Sequence, residues 1–147
     1  MKVVIQRVKS SSVTVEQKII GEIGIGLNLL VCMEKGDGAT EIKKAATKIC
    51  ALRIFSDENG RMNKSVKDID GEILSISQFT LSWDGQKGNR PSFDDSMEPD
   101  KAHKLFLDFV GLLKNEYQES KIKTGEFGAS MEVAIVNDGP VTFSLSF

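Results

Sequence analysis

One histidine, His103, and two cysteines, Cys32 and Cys50, are all that the 147 residues offer toward soft-metal or redox chemistry. A zinc or di-iron site needs several such ligands grouped at short spacing. None are grouped here, so no metal and no other cofactor is expected. The cysteines fall on apolar faces in no redox spacing, and read as small buried hydrophobes of a reducing, cytoplasmic compartment. The single histidine also restricts nucleophilic catalysis. A Ser-His-Asp arrangement would have to recruit His103 from a helix, and no nucleophile elbow is present. A phosphate loop is missing, and Gly24-Ile25-Gly26 lacks the third, helix-opening glycine of a nucleotide fingerprint. No apolar run approaches the roughly 20 residues of a membrane span. The opening Met1-Lys2-Val3-Val4-Ile5-Gln6-Arg7 meets charge too early for a secretory signal. With a net charge of −2, the chain is not expected to coat nucleic acid by bulk attraction. Neither DNA nor a membrane is expected as a partner, although a few local basic residues suffice to touch several nucleotides.

What is present suits one domain spanning residues 1–147, long enough to bury about 68–70% of the surface its unfolded chain exposes. Met1 to Val8 reads as a strand with Val3, Ile5 and Arg7 on one face. Ser12–Val15 and Lys18–Ile20 read as a hairpin around Glu16-Gln17, although neither residue favours the positive φ of a tight turn. Leu27 to Met33 is a hydrophobic strand. Residues 39–52 carry the stripe Ile42, Ala45, Ala46, Ile49 and Cys50 of an amphipathic helix, with Lys43, Lys44 and Lys48 opposite. Such a basic face is usually only solvated. Leu52 to Phe55 is expected as a strand, Ser56 to Gly60 as a turn and Met62 to Asp70 as irregular chain. Pro99 opens a second helix with the stripe Ala102, Leu105, Phe106, Phe109, Leu112 and Leu113, His103 lying off it toward solvent. Strands over 122–125, 131–137 and 141–147, the last two joined by a bend at Asp138-Gly139-Pro140, close the chain.

The stretch that organises the rest is Gly71 to Leu81. Ile73, Leu74 and Ile76 are β-formers, yet the strand turns polar at its carboxyl end with Ser77, Gln78 and Thr80 around Phe79. A strand running out to the surface explains this by position alone. The sequel, Trp83 to Phe93, is a Gly-rich basic loop of the kind that frames a ligand. An enzyme with this residue set would work with hydroxyls, amides and backbone groups. That suits an activated ester whose oxyanion needs hydrogen-bond donors.

Four spaced segments then carry a specific resemblance: Ser77-Gln78-Phe79-Thr80-Leu81, Lys87-Gly88-Asn89-Arg90-Pro91-Ser92-Phe93, Thr124-Gly125-Glu126-Phe127-Gly128-Ala129-Ser130-Met131, and Asn137-Asp138-Gly139-Pro140-Val141-Thr142. With Gln6-Arg7-Val8 they make the whole chain similar to the D-aminoacyl-tRNA deacylase family. The resemblance implies an α+β fold, a mostly antiparallel, β-barrel-like core with two helices packed on it, in a homodimer. It implies hydrolysis of the ester between a D-amino acid, or mischarged glycine, and the 3′-terminal ribose of tRNA. It places Ser77, Gln78, Phe79 and Thr80 at the catalytic centre and Gly139, Pro140, Arg7, Met131 and Phe127 at substrate-binding positions. The Gly-cisPro pair would face the substrate ammonium from the neighbouring subunit, with Arg7 holding its loop. Lys87 and Arg90 would border the tRNA 3′ end. The family offers two roles for this centre: Thr80 as nucleophile, or backbone N–H groups holding the oxyanion while the RNA 2′-hydroxyl assists. The second is preferred, since no base stands ready to activate Thr80. A non-catalytic RNA- or nucleotide-binding dimer is the alternative, and a purely structural dimer a third reading.

Overall fold

The structure is a computed structural model and describes residues 1–86 and 88–147. Its spine is β1 (Lys2–Val15), one continuous strand where the sequence suggests two. Residues Lys2 to Val8 pair antiparallel with β3 (Gly26–Cys32), and Ser11 to Val15 pair antiparallel with β2 (Lys18–Ile23). The turn joining β1 to β2 has φ +47 at Glu16 and +64 at Gln17. Strand pairing at Val15 and Lys18 leaves only two residues for the reversal, and positive φ at both matches the twist of the strands. Tertiary pairing therefore overrides the poor turn propensity of these side chains.

From β3 the sheet continues with parallel pairing to β6 (Glu72–Ser77) and then to β7 (Ile122–Thr124). The far edge of β1 is covered along its length by β8 (Glu132–Ser146), again antiparallel. The result is a mixed sheet that curls until β2 backs onto β7. At that closure a Cβ on Gly21 would lie 2.8 Å from the Thr124 carbonyl oxygen. Gly26 serves a similar approach, since a Cβ there would fall 1.9 Å from the Glu72 carbonyl oxygen. The Gly24-Ile25-Gly26 signal is thus a strand-contact device.

Two helices, α1 (Ala39–Ala51) and α2 (Pro99–Glu116), cover one face of the sheet. Their stripes bury Ile42, Ala45, Ala46, Ile49 and Cys50 from α1, and Ala102, Phe106, Phe109, Val110 and Leu113 from α2. Each large side chain so buried contributes roughly 1.5–3 kcal/mol. The Glu41 carboxylate accepts the Gly38 N–H at the start of α1, and Pro99 opens α2 where its missing N–H has no intrahelical partner to lose. Inside the curl, a second apolar cluster joins Val8, Val13, Ile23, Leu74 and Ile76.

Further expectations need correction, among them the separate strands over 131–137 and 141–147, which are the single strand β8. The strand expected over Leu52–Phe55 shrinks to β4 (Phe55–Ser56), because the helix is still closing when Leu52 donates its N–H to the Ile49 carbonyl. Part of the expected irregular stretch is β5 (Met62–Lys64), which pairs with β4 across a turn built on Asp57. The Asp57 carboxylate accepts the N–H groups of Asn59 and Arg61, and Gly60 supplies φ +75. The central strand ends at Ser77 rather than running to Leu81.

Candidate active site

At the carboxyl end of β6 the backbone leaves the sheet. Gln78 makes the last ladder-like contact, its N–H donating to the Val31 carbonyl at 2.7 Å. Its ψ of 77 then breaks the extended run, and Phe79–Ser82 form a 3₁₀ turn closed by Leu81 N–H to Gln78 O and Trp83 N–H to Thr80 O. Strand geometry therefore stops at Ser77, and the rest of the polar segment lies on the turn. Opening a helical turn leaves the N–H groups of Phe79 and Thr80 without a partner inside that turn. A pair of adjacent backbone donors stands where the sequence turns polar.

The side chains around this turn are not set up as a nucleophile with a base. The Gln78 amide donates to Thr80 Oγ1 at 2.6 Å, and an amide cannot take the hydroxyl proton. Thr80 is exposed, and the nearby Cys32 Sγ points to the Phe79 carbonyl oxygen at 3.4 Å. Burial pushes the Cys32 thiol up to about 11, and the Cys50 thiol likewise, so neither supplies a thiolate at neutral pH. Among the described residues no group of histidine, cysteine and carboxylate side chains could hold a metal ion.

Beside the turn opens a cavity of about 580 Å³. Ser77, Gln78 and Phe79 form one wall, Phe127, Gly128 and Met131 another, and the start of α2 a third. Phe79, 57% exposed, meets Phe93 edge-on at 5.0 Å. Phe127 stacks on His103 and tilts against Phe106. Met131 reaches the cavity only because residue 125 is glycine; a Cβ there would lie 2.6 Å from its Sδ. The lining is mostly apolar with a few polar groups, the usual make-up of a small-ligand cleft. Glu98 is its one ionisable side chain among the described residues.

A second feature lies on β8. Gln6 pairs with Thr142 and Val8 with Asn137, so Asp138, Gly139, Pro140 and Val141 bulge out opposite the single residue Arg7. Arg7 is only 9% exposed, so it is not a strand-edge arginine in water. Its Nε donates to the Asp138 carbonyl at 3.1 Å and pairs with the Asp138 carboxylate at 3.0 Å. Its Nη1 donates to the Ile54 carbonyl at 2.6 Å. The planar fork thus ties the bulge to the connection between α1 and β4. Gly139 has φ +126, and a Cβ on it would lie 2.9 Å from Val141 Cγ2 and 3.2 Å from Arg7 Nη2. Only glycine fits there. The Gly139–Pro140 bond is cis.

The fold therefore gathers Ser77, Gln78, Phe79, Phe127 and Met131 around one cavity, while Thr80 follows Phe79 but is not part of the lining. It does not bring Arg7, Gly139 or Pro140 to that cavity within one chain; Gly139 and Pro140 lie exposed on the outermost strand. Arg90 is exposed on the loop after the turn, and Lys87 lies outside the described residues. Lys43, Lys44 and Lys48 are exposed on α1, and none of them lines the cavity. Sequence reasoning missed Phe93, Phe106 and the His103 stack. Phe106 looked like plain core because its spacing puts it on the buried stripe of α2.

The model of the D-Tyr-tRNA(Tyr) deacylase family matches residues 4–146. A D-aminoacyl-tRNA deacylase of Clostridium novyi is 51% identical over 145 residues, covering 99% of this chain and 96% of that protein. The protein of the same name from Thermosipho africanus is 53% identical, over 99% of this chain and 96% of its own. Among solved structures, one called c-Myc DNA Unwinding Element Binding Protein superposes with a TM-score of 0.96 at 42% identity, covering 100% of this chain and 99% of that one.

Proposed function

The chain belongs to the D-Tyr-tRNA(Tyr) deacylase family and hydrolyses D-aminoacyl-tRNA, and from that premise we propose how its cleft does so. The aminoacylated 3′ end of tRNA enters the cavity, with the ester carbonyl against the turn at Phe79 and Thr80. Water attacks that carbonyl carbon with help from the RNA's own 2′-hydroxyl. The developing oxyanion is held by the backbone N–H groups of Phe79 and Thr80, donors of a kind worth about 10²–10³ in rate each. The ester C–O bond breaks, the ribose 3′-oxygen takes a proton, and free amino acid and tRNA leave. Thr80 contributes its backbone, since its hydroxyl oxygen accepts from the Gln78 amide and that amide cannot take its proton.

An enzyme that accepts many side chains must read what all substrates share: the α-amino group, the α-hydrogen and the ester. In this reading Gly139 and Pro140 of a second copy present backbone carbonyls to the ammonium and exclude an L side chain. Glycine, with no side chain to exclude, is then also a substrate. Arg90 and Lys87 border the RNA end, and the reaction takes place in the cytoplasm without a metal ion.

The observation that carries the proposal is the strand end itself. Two adjacent backbone N–H groups without a partner in their own turn stand where Phe79 borders an aromatic-lined cavity, and no activated nucleophile accompanies them. The decisive assay is amino acid release from matched D- and L-aminoacyl-tRNA. Release from the D and glycyl forms only, unchanged by extensive chelation, is the expected result. Salt-dependent RNA binding with no turnover of either enantiomer would establish the non-catalytic binding module instead.

A further inference from the structure

We propose that His103 is a positioning residue for this hydrolysis: its imidazole backs Phe127 and fixes the aromatic wall on which the substrate's terminal nucleoside lies. The inference rests on the reading of the cleft given above.

Phe127 lines the cavity but stands on the irregular connection between β7 and β8. That connection is a short turn, with Gly128 at φ +78 and Ala129 donating to the Glu126 carbonyl. Nothing in such a turn dictates the plane of an aromatic side chain. The plane is set from outside, by α2. The His103 ring lies 4.6 Å from the Phe127 ring with only 12° between their planes, a parallel stack. Phe106, from the same helix, meets Phe127 obliquely at 6.0 Å and 47°. Phe106 is buried and anchored in the core, whereas His103 is exposed and does not line the cavity. Two aromatic residues three apart on α2 therefore grip one ring, and the exposed member of the pair is the one that matches its plane. A flat ring held in this way offers a base a ready stacking surface without first losing rotamer freedom.

The test separates the stack from the chemistry. In the free protein, the imidazole C–H proton resonances of His103 are expected upfield, shielded by the Phe127 ring. The shift should vanish in Phe127→Leu; unshifted resonances in the unsubstituted protein would overturn the proposal. In steady-state hydrolysis of D-aminoacyl-tRNA, His103→Ala should raise KM about 2- to 10-fold, the range of one aromatic pair, with kcat within about twofold. His103→Tyr, which restores a flat ring, should return KM to within about twofold of the original. An unchanged KM in His103→Ala, a loss confined to kcat, or failure of the tyrosine to rescue would each overturn it. Absence of turnover by the unsubstituted protein would defeat the reaction itself. That result is seen before any variant is compared, so the two failures stay distinct.

Discussion

The 3₁₀ turn at Phe79–Ser82 and the bulge at Asp138–Val141 are both irregular backbone in the midst of regular strands, and they are built in opposite ways. The turn follows a buried parallel strand, uses no charge, and faces a cavity of its own chain. The bulge sits on the outermost strand, is clamped by a buried guanidinium, and does not line that cavity. Burying an arginine is costly unless its donors are paired, and here they are paired to three oxygen atoms. We read a loop shaped that firmly, on an open edge strand carrying exposed Val136 and Phe143, as fitted to something outside the chain. An uncovered edge of this length is also what folded proteins ordinarily cover. In our account the cover is a second copy, and the bulge of each copy completes the cleft of the other.

Removing a donor from the turn should have the largest effect. Phe79→Pro deletes one N–H at a first-turn position that tolerates proline, and should lower kcat by about 10²–10³ relative to Phe79→Ala, which keeps the donor. Equal rates for the two variants would break the oxyanion assignment. On the other side of the comparison, Gly139→Ala places a Cβ against Val141 and Arg7 at a φ that disfavours it. We expect a loss of about 100-fold in kcat/KM with the association state unchanged by sedimentation, because small displacements of a positioning group cost that much. Arg7→Lys keeps the charge but loses the fork. It should reduce stability by about 1–3 kcal/mol in urea unfolding, through oxygens left unpaired, and reduce kcat/KM about tenfold. Thr80→Val should be mildest, within about threefold of the original rate, as its hydroxyl donates no electron pair to the ester carbonyl. A trapped aminoacyl-Thr80 would contradict that.

Much of this was legible in the residues. The apolar stripes of α1 and α2, the buried cysteines and the proline start of α2 follow from periodicity and elementary capping. The polar end of β6 marked the site, and the four spaced segments marked the family. What the sequence hid was long-range. No local rule foretells that Glu16 and Gln17 take positive φ, because the reversal is imposed by strands that pair only in the folded sheet. The fusion of 131–137 and 141–147 into one strand depends on β1 running unbroken beside both. For Arg7 no local signal distinguishes a clamp from a solvated strand residue, and only the folded sheet brings the Ile54 and Asp138 carbonyls within its reach. His103 was placed off the α2 stripe, as found, but its partner Phe127 lies 24 positions away on another element.

The claim that two chains share each cleft is tested most directly by subunit complementation. Phe79→Pro and Gly139→Ala chains, each nearly inactive alone, are unfolded, mixed in equal amounts and refolded together. A two-fold dimer of one of each contains one cleft with both defects and one with neither. Half of the dimers are then mixed and half of their clefts intact, so the mixture should recover about a quarter of the unsubstituted activity and keep its preference for the D enantiomer. A mixture no more active than the average of its two parents would contradict the account.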